Sequence, residues 1–157
     1  MPRKPGSELP ADLASLLNGS HLAGRVGHTF LLVTTAQDGW PHVAMLSVGE
    51  VLAQAPREVR LALWPGSHTS ANVGRTGRAL LMAVVPPATY YVRLHCRPLG
   101  EIRAGEQPLA AFLGEVAEIQ QDVVAYARVL DGIRFELADP ERTVSNWQST
   151  LAALRDA

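Results

Sequence analysis

Between residues 28 and 103 the chain strings together runs of β-branched and aromatic residues, most of them separated by turns of only a few residues. A parallel crossover needs a dozen or more residues, so strands joined this tightly must pair largely antiparallel. The runs fall at residues 28–35, 40–53, 59–64, 79–85 and 90–103, and each is rich in side chains that suit a pleated, half-buried surface. Asp38-Gly39 between the first two is a strong hairpin signal. Pro41 lies near a strand start, where a missing N–H is tolerated. The fifth run is long and carries Pro98 and Gly100 as expected bends.

Helical patterning sits around these strands. Residues 10–17 read as a short helix ended by Asn18-Gly19, and residues 70–75 as another that stops near Gly77. From Leu109 the period changes: Leu109, Phe112, Leu113, Val116 and Ile119 fall on one face of a helix, predicted to continue towards Ala127. A sixth strand is expected over 128–137. An amphipathic helix over 140–154, with Val144, Trp147, Leu151 and Leu154 as its apolar stripe, closes the chain. Residues 1–9 read as a loose leader. One domain spanning residues 1–157 is therefore expected, mainly β, with five or six antiparallel strands in a small closed or nearly closed barrel and helices at the rim.

Composition removes several function classes. The net charge of -1 offers no basic field for nucleic acid. No apolar stretch approaches the roughly 20 residues that span a bilayer, and the two N-terminal cations precede no apolar run, so a cytoplasmic protein is expected. Cys96 is the only cysteine, which rules out an intrachain disulfide and a thiolate metal cluster; a lone strand cysteine reads as a small buried hydrophobe. The five histidines fall at no metal-ligand spacing, and no glycine-rich phosphate loop or nucleophile elbow is present. Glu115 and Glu118 read as the polar side of a helix. Hydrolase chemistry is disfavoured, and reactivity borrowed from a bound cofactor is favoured.

Two segments can carry a site. In Trp64-Pro65-Gly66-Ser67-His68-Thr69-Ser70-Ala71-Asn72-Val73 a strand gives way to hydroxyls at the start of a helix. Unpaired N–H groups and positive partial charge there would seat a phosphate, while Ser67 or Thr69 acting simply as a helix cap is the alternative. The strand His42-Val43-Ala44-Met45-Leu46-Ser47-Val48-Gly49 is largely apolar on both faces, which suits a central strand or one that meets a flat aromatic ligand; Gly49 permits close backbone approach. For Met45, Leu46 and Val48 core packing is the competing role, and His42 beside a hairpin reads as exposed.

Together these segments resemble a family. Leu32-Val33-Thr34-Thr35-Ala36-Gln37-Asp38-Gly39-Trp40-Pro41-His42-Val43, an apolar strand, then Gly66-Ser67-His68-Thr69-Ser70-Ala71-Asn72, is similar to the flavin-binding split barrels related to pyridoxamine 5′-phosphate oxidase. The resemblance runs over residues 10–138 as an order of elements. It implies a six-stranded antiparallel split barrel that forms a homodimer with FMN in clefts between subunits, the ring along the strand from Ala44 through Met45, Leu46 and Ser47 to Gly49, above Trp64. It places the phosphate at Ser67, His68 and Thr69, with Asn72 on the first helical turn and Trp147 against the partner's flavin. True pyridoxamine phosphate oxidases carry basic residues where this chain has Ala44 and Gly49, and Arg-Lys at His68-Thr69, so vitamin salvage is not implied. Arg75 or Arg78 is left as a phosphate partner, against plain solvation at a helix end. An FMN-dependent oxidoreductase or flavin reductase with a small-molecule electron donor or acceptor is the leading expectation. A flavin carrier or sensor without turnover, and a relative holding deazaflavin or haem in the same cleft, are the alternatives.

Overall fold

Asp38-Gly39 makes the turn its chemistry dictates. Gly39 lies at φ 89°, its N–H donates to the Ala36 carbonyl at 2.9 Å, and the Ala36 N–H donates to the Trp40 carbonyl at 2.8 Å. That turn sets the antiparallel register of β1 (Phe30–Thr35) on β2 (Pro41–Leu46), from Phe30 opposite Leu46 to Thr35 opposite Pro41. The structure is a computed structural model and describes residues 6–157. The first five positions of the expected leader lie outside the described residues; beyond them Gly6 bridges to Ile119 and Leu9 is buried.

The remaining elements are α1 (Ala11–Leu16), a 3-10 turn at Leu22–Arg25, β3 (Val51–Ala55), β4 (Glu58–Leu63), α2 (His68–Thr76), β5 (Arg78–Val85), β6 (Ala88–Ala104), β7 (Gln107–Asp122) and α3 (Pro140–Asp156). Every strand pairing is antiparallel, in one seven-stranded sheet ordered β2-β1-β5-β6-β7-β4-β3. Its two outermost strands, β2 and β3, are consecutive in the chain. The five peptide steps from Leu46 to Val51 span at most about 18 Å, so the sheet curls until its edges come close without pairing. The expected mainly β fold is present, but with seven strands in an open sheet where a six-stranded barrel was predicted.

Three local readings change. The single strand expected over 40–53 is broken by the turn at residues 47–50 into β2 and β3. The helix predicted from Leu109 is instead β7, paired with β6 on one side and β4 on the other. Its helix-like spacing arises from two irregularities: Ala117 is an extra residue against β6, and Leu99 is an extra residue of β6 against β7. A bulge shifts the phase of an alternating strand by one position, so Val116 and Ile119 are both buried although three residues apart. The strand predicted over 128–137 is an irregular strap with a single bridge, Arg134 to His28.

Alternation decides what is inside. Phe30 and Leu32 of β1, Leu81 of β5, Val92 of β6 and Leu61 of β4 have no exposed surface and form the core. Leu31 and Val33 point to the opposite, outward face and are half-buried. The helix α3 covers the core with Trp147, Leu151 and Leu154. Asp139 caps it by accepting from the Arg142 N–H, and Pro140 occupies its first turn.

Candidate cofactor site

The turn after β4 builds the first half of the site. Gly66 takes the left-handed conformation at φ 74°, which a side chain would disfavour, and the chain swings into α2. Ser67 stands at the N-cap, its Oγ accepting from the Ser70 N–H at 3.1 Å; the Ser70 hydroxyl donates to the Trp64 carbonyl at 2.9 Å. The cap reading of Ser67 is therefore realised. It satisfies only one of the first-turn donors, and helix geometry leaves the His68 and Thr69 N–H groups without intrahelical acceptors.

Side chains from the hairpin and from α2 meet beside this terminus. The His42 ring of β2 lies 5.9 Å, centroid to centroid, from the exposed ring of His68. Asn72, which is buried, donates through Nδ2 to Thr34 Oγ1 at 3.1 Å, and its Oδ1 accepts from Arg75 Nη1 at 3.2 Å. The other Arg75 nitrogen donates to the Thr35 carbonyl. Asn72 and Arg75 thus fasten α2 to the end of β1, and Arg75 is committed to that role. Arg78 stands exposed at the start of β5 opposite His95. It lines a cavity of about 570 Å³ with Val33, Thr35, Pro41, Arg93 and Glu118; Arg93 and Glu118, opposite one another on β6 and β7, form an ion pair at 3.7 Å.

The second half is β2, an edge strand of the sheet. Val43 and Met45 face outward, Met45 at 66% exposure, whereas Ala44 is half-buried and Leu46 and Ser47 are buried. Trp64, at the end of β4, is 60% exposed. Ser47 opens a tight turn: its N–H and hydroxyl both donate to Glu50 Oε1, at 3.1 and 2.7 Å, and its Oγ accepts from the Gly49 N–H. Burial pushes the Glu50 carboxyl above its ordinary range, partly opposed by the two bonds from Ser47. A Cβ on Gly49 would sit 2.0 Å from Trp147 Cγ, so the indole rests directly on this turn and is itself only 8% exposed.

Of the residues chosen from the sequence, Ser67, His68, Thr69 and Asn72 cluster at the start of α2. Ala44 and Met45 lie on β2, and Trp64 leads into the same turn. Leu46, Ser47 and Trp147 belong to the packed layer behind β2. The sequence reading left out His42 as a hairpin residue. Strand parity carried the missing signal, since His42 and Ala44 share the half-buried face of β2. Outside this cluster, burial lifts the half-buried Cys96 thiol to about 11, which leaves it protonated and unreactive near neutrality. Burial, reinforced by Arg134, lowers His28. No group of three His, Cys, Asp or Glu side chains able to hold a metal occurs among the described residues. No helix there is long and apolar enough to cross a membrane.

No family model matches the sequence. The YclD protein of Bacillus subtilis, itself uncharacterised, is 40% identical over 143 residues, covering 91% of this chain and 93% of YclD. Among solved structures, a proposed pyridoxamine 5′-phosphate oxidase from Lactobacillus delbrueckii superposes with a TM-score of 0.56 at 14% identity, over 73% of this chain and 94% of that one. An F420 reductase superposes with a TM-score of 0.52 at 15% identity, over 71% and 98% of the two chains. At such identities the likeness to solved structures is one of fold.

Proposed function

The chain is of one family with YclD and has the fold of the pyridoxamine 5′-phosphate oxidase-like split barrels, and from that premise we propose that it binds FMN and acts as a flavin-dependent oxidoreductase or flavin reductase. The observation that carries this reading is the meeting of two imidazoles, His42 and His68, at a helix N-terminus, where two first-turn N–H groups have no intrahelical acceptor. That donor set suits a phosphate monoester, because N–H dipoles and imidazoles supply hydrogen bonds aimed at one anionic group. His68 and Thr69 would hold the phosphate, with Ser67 shaping the cap and Asn72 fixing α2 against β1. Ala44 and Met45 would run along the ring, with Trp64 beside it. Leu46, Ser47 and Trp147 would support β2 from behind. When bound, FMN supplies hydride or single-electron transfer; the protein supplies position and exclusion of water.

A homodimer is part of the proposal. Trp40 just before β2, at 74% exposure, and Val43 and Met45 on it leave apolar surface exposed at an edge strand that is paired on one side only. Such an edge invites association unless another chain covers it. A second copy lying there would close the ring cleft. Lysine and arginine are absent at positions 44, 49, 68 and 69, which disfavours a ligand with several phosphates and vitamin salvage alike.

The test is flavin titration of the purified protein, read by quenching of flavin fluorescence. FMN is expected to bind saturably to a dimer, as sized by light scattering. Riboflavin, lacking the phosphate, and FMN with His68→Ala should both bind at least about tenfold more weakly. Equal binding of riboflavin and FMN, or no binding of either, refutes the phosphate seat. NADPH oxidation by the loaded protein distinguishes a reductase from a carrier.

A further inference from the structure

After β7 the chain does not leave the sheet but returns over its outward face as the irregular strap of residues 123–139. The strap rides close at Gly132, where an added Cβ would come within 3.2 Å of Val84. Beside that contact a cavity of about 330 Å³ opens between the strap and the sheet. Leu31, Met82 and Val84 form its apolar floor and Ile133 its roof; Thr29 and Thr89 are the sheet hydroxyls that line it. Its size falls at the lower end of small-molecule sites, about 300–1,000 Å³.

One lining atom has no partner. Thr29 is 7% exposed, and its Oγ1 is fully buried with no hydrogen-bond partner among the described residues. Buried hydroxyls are nearly always bonded, and each exception calls for a cause. Thr29 precedes β1 on the same outward alternation as Leu31, so its hydroxyl stands in the cavity wall. The one carboxylate of the lining, Asp131, is already engaged: it accepts from the Gly132 N–H at 2.8 Å and faces Arg134 at 3.7 Å. The pocket therefore offers hydrocarbon contact, a thioether suited to aromatic rings, and a hydroxyl able to donate and accept. It offers no unmatched charge.

We propose that this cavity is a second binding site, for a small uncharged aromatic molecule bearing one hydroxyl or carbonyl group, with Thr29 Oγ1 as its polar anchor. It lies at the end of β1 away from the phosphate turn. Six residue steps along the strand carry the chain from Thr29 to Thr35, about 20 Å, so occupancy does not require flavin.

Benzyl alcohol and toluene are the probes, titrated into the full chain and followed by the methyl resonances of Ile, Leu and Val. Saturable shifts are expected at Leu31, Val84, Val129 and Ile133. Thr29→Val keeps the branched shape and removes the hydroxyl. It should weaken benzyl alcohol by about tenfold, the loss of one buried hydrogen bond, and leave toluene unchanged. Met82→Trp, which fills the floor, should abolish binding of both and keeps the test decisive if the threonine variant does not fold. Shifts that never saturate, equal benzyl alcohol affinity in Thr29→Val, binding undiminished by Met82→Trp, or shifts centred on Val43 and Leu46 overturn the proposal.

Discussion

Replacing Gly49 by alanine is expected to destabilise the protein, and to cost little more once Trp147 of α3 has also been replaced by alanine. An alanine Cβ at position 49 would lie 2.0, 2.1 and 2.5 Å from Trp147 Cγ, Cδ1 and Cβ. Carbon atoms prefer about 3.5–4.0 Å, so the ring must withdraw by roughly 1.5 Å. It has little freedom to do so. Leu151 and Leu154 of the same helix are buried, and Arg60 Nη1 donates to the Leu154 and Ala157 carbonyls, both at 2.7 Å. Overpacking a closed core costs about 1–3 kcal/mol, and a clash with a held ring belongs at the upper end, about 3 kcal/mol. Trp147→Ala alone should cost about 3–5 kcal/mol through lost burial and the hole it leaves. In the double variant the new methyl enters that hole, so the total should stay near the tryptophan value, with a coupling of about 2–3 kcal/mol. Urea unfolding of the four proteins measures the cycle. Additivity within about 0.5 kcal/mol, or a Gly49→Ala cost below about 1 kcal/mol, would refute the contact as described.

Two further outcomes are expected. Asn72→Ala removes the buried bridge from α2 to β1 and leaves Thr34 Oγ1 without its donor, a loss of about 1–3 kcal/mol; Thr34→Val added to it should recover part of this in urea unfolding, since an unpaired hydroxyl is then removed. For Glu50, a carboxyl raised in the folded state binds more protons there than in the unfolded chain. Its contribution to stability therefore falls as pH rises from about 4.5 through the folded value. Glu50→Gln, whose amide oxygen can still accept from Ser47, should lose this component, so the variant gains on the natural protein as pH rises from 4 to 7; a constant difference between the two unfolding profiles would argue against a buried, raised carboxyl.

Most short-range features were legible. The Asp38-Gly39 hairpin, the Ser67 cap and the closing helix with Trp147, Leu151 and Leu154 on its buried side depend on neighbours within a few residues, and local chemistry specifies them. The start of α2 was legible as a capped helix N-terminus for the same reason. His42 was not, because its meeting with His68 depends on how β2 curls over α2. Nor was the placement of Trp147 on Gly49, which requires a helix from the end of the chain to settle on a turn near its first third.

By itself, the sequence determined that this chain forms antiparallel strands with helices around them, and where the turns fall. Only the tertiary structure decided that residues 107–122 are a strand, that the sheet stays open between β2 and β3, and that residues 123–139 cross its outward face. The physical reason is the range of the determining interactions. Turns and caps are settled by bonds between near neighbours, whereas a bulge such as that at Ala117 has no meaning until β6 lies beside β7. There the three-residue step from Val116 to Ile119, helical by period alone, becomes a strand that changes phase once and keeps both side chains in the core.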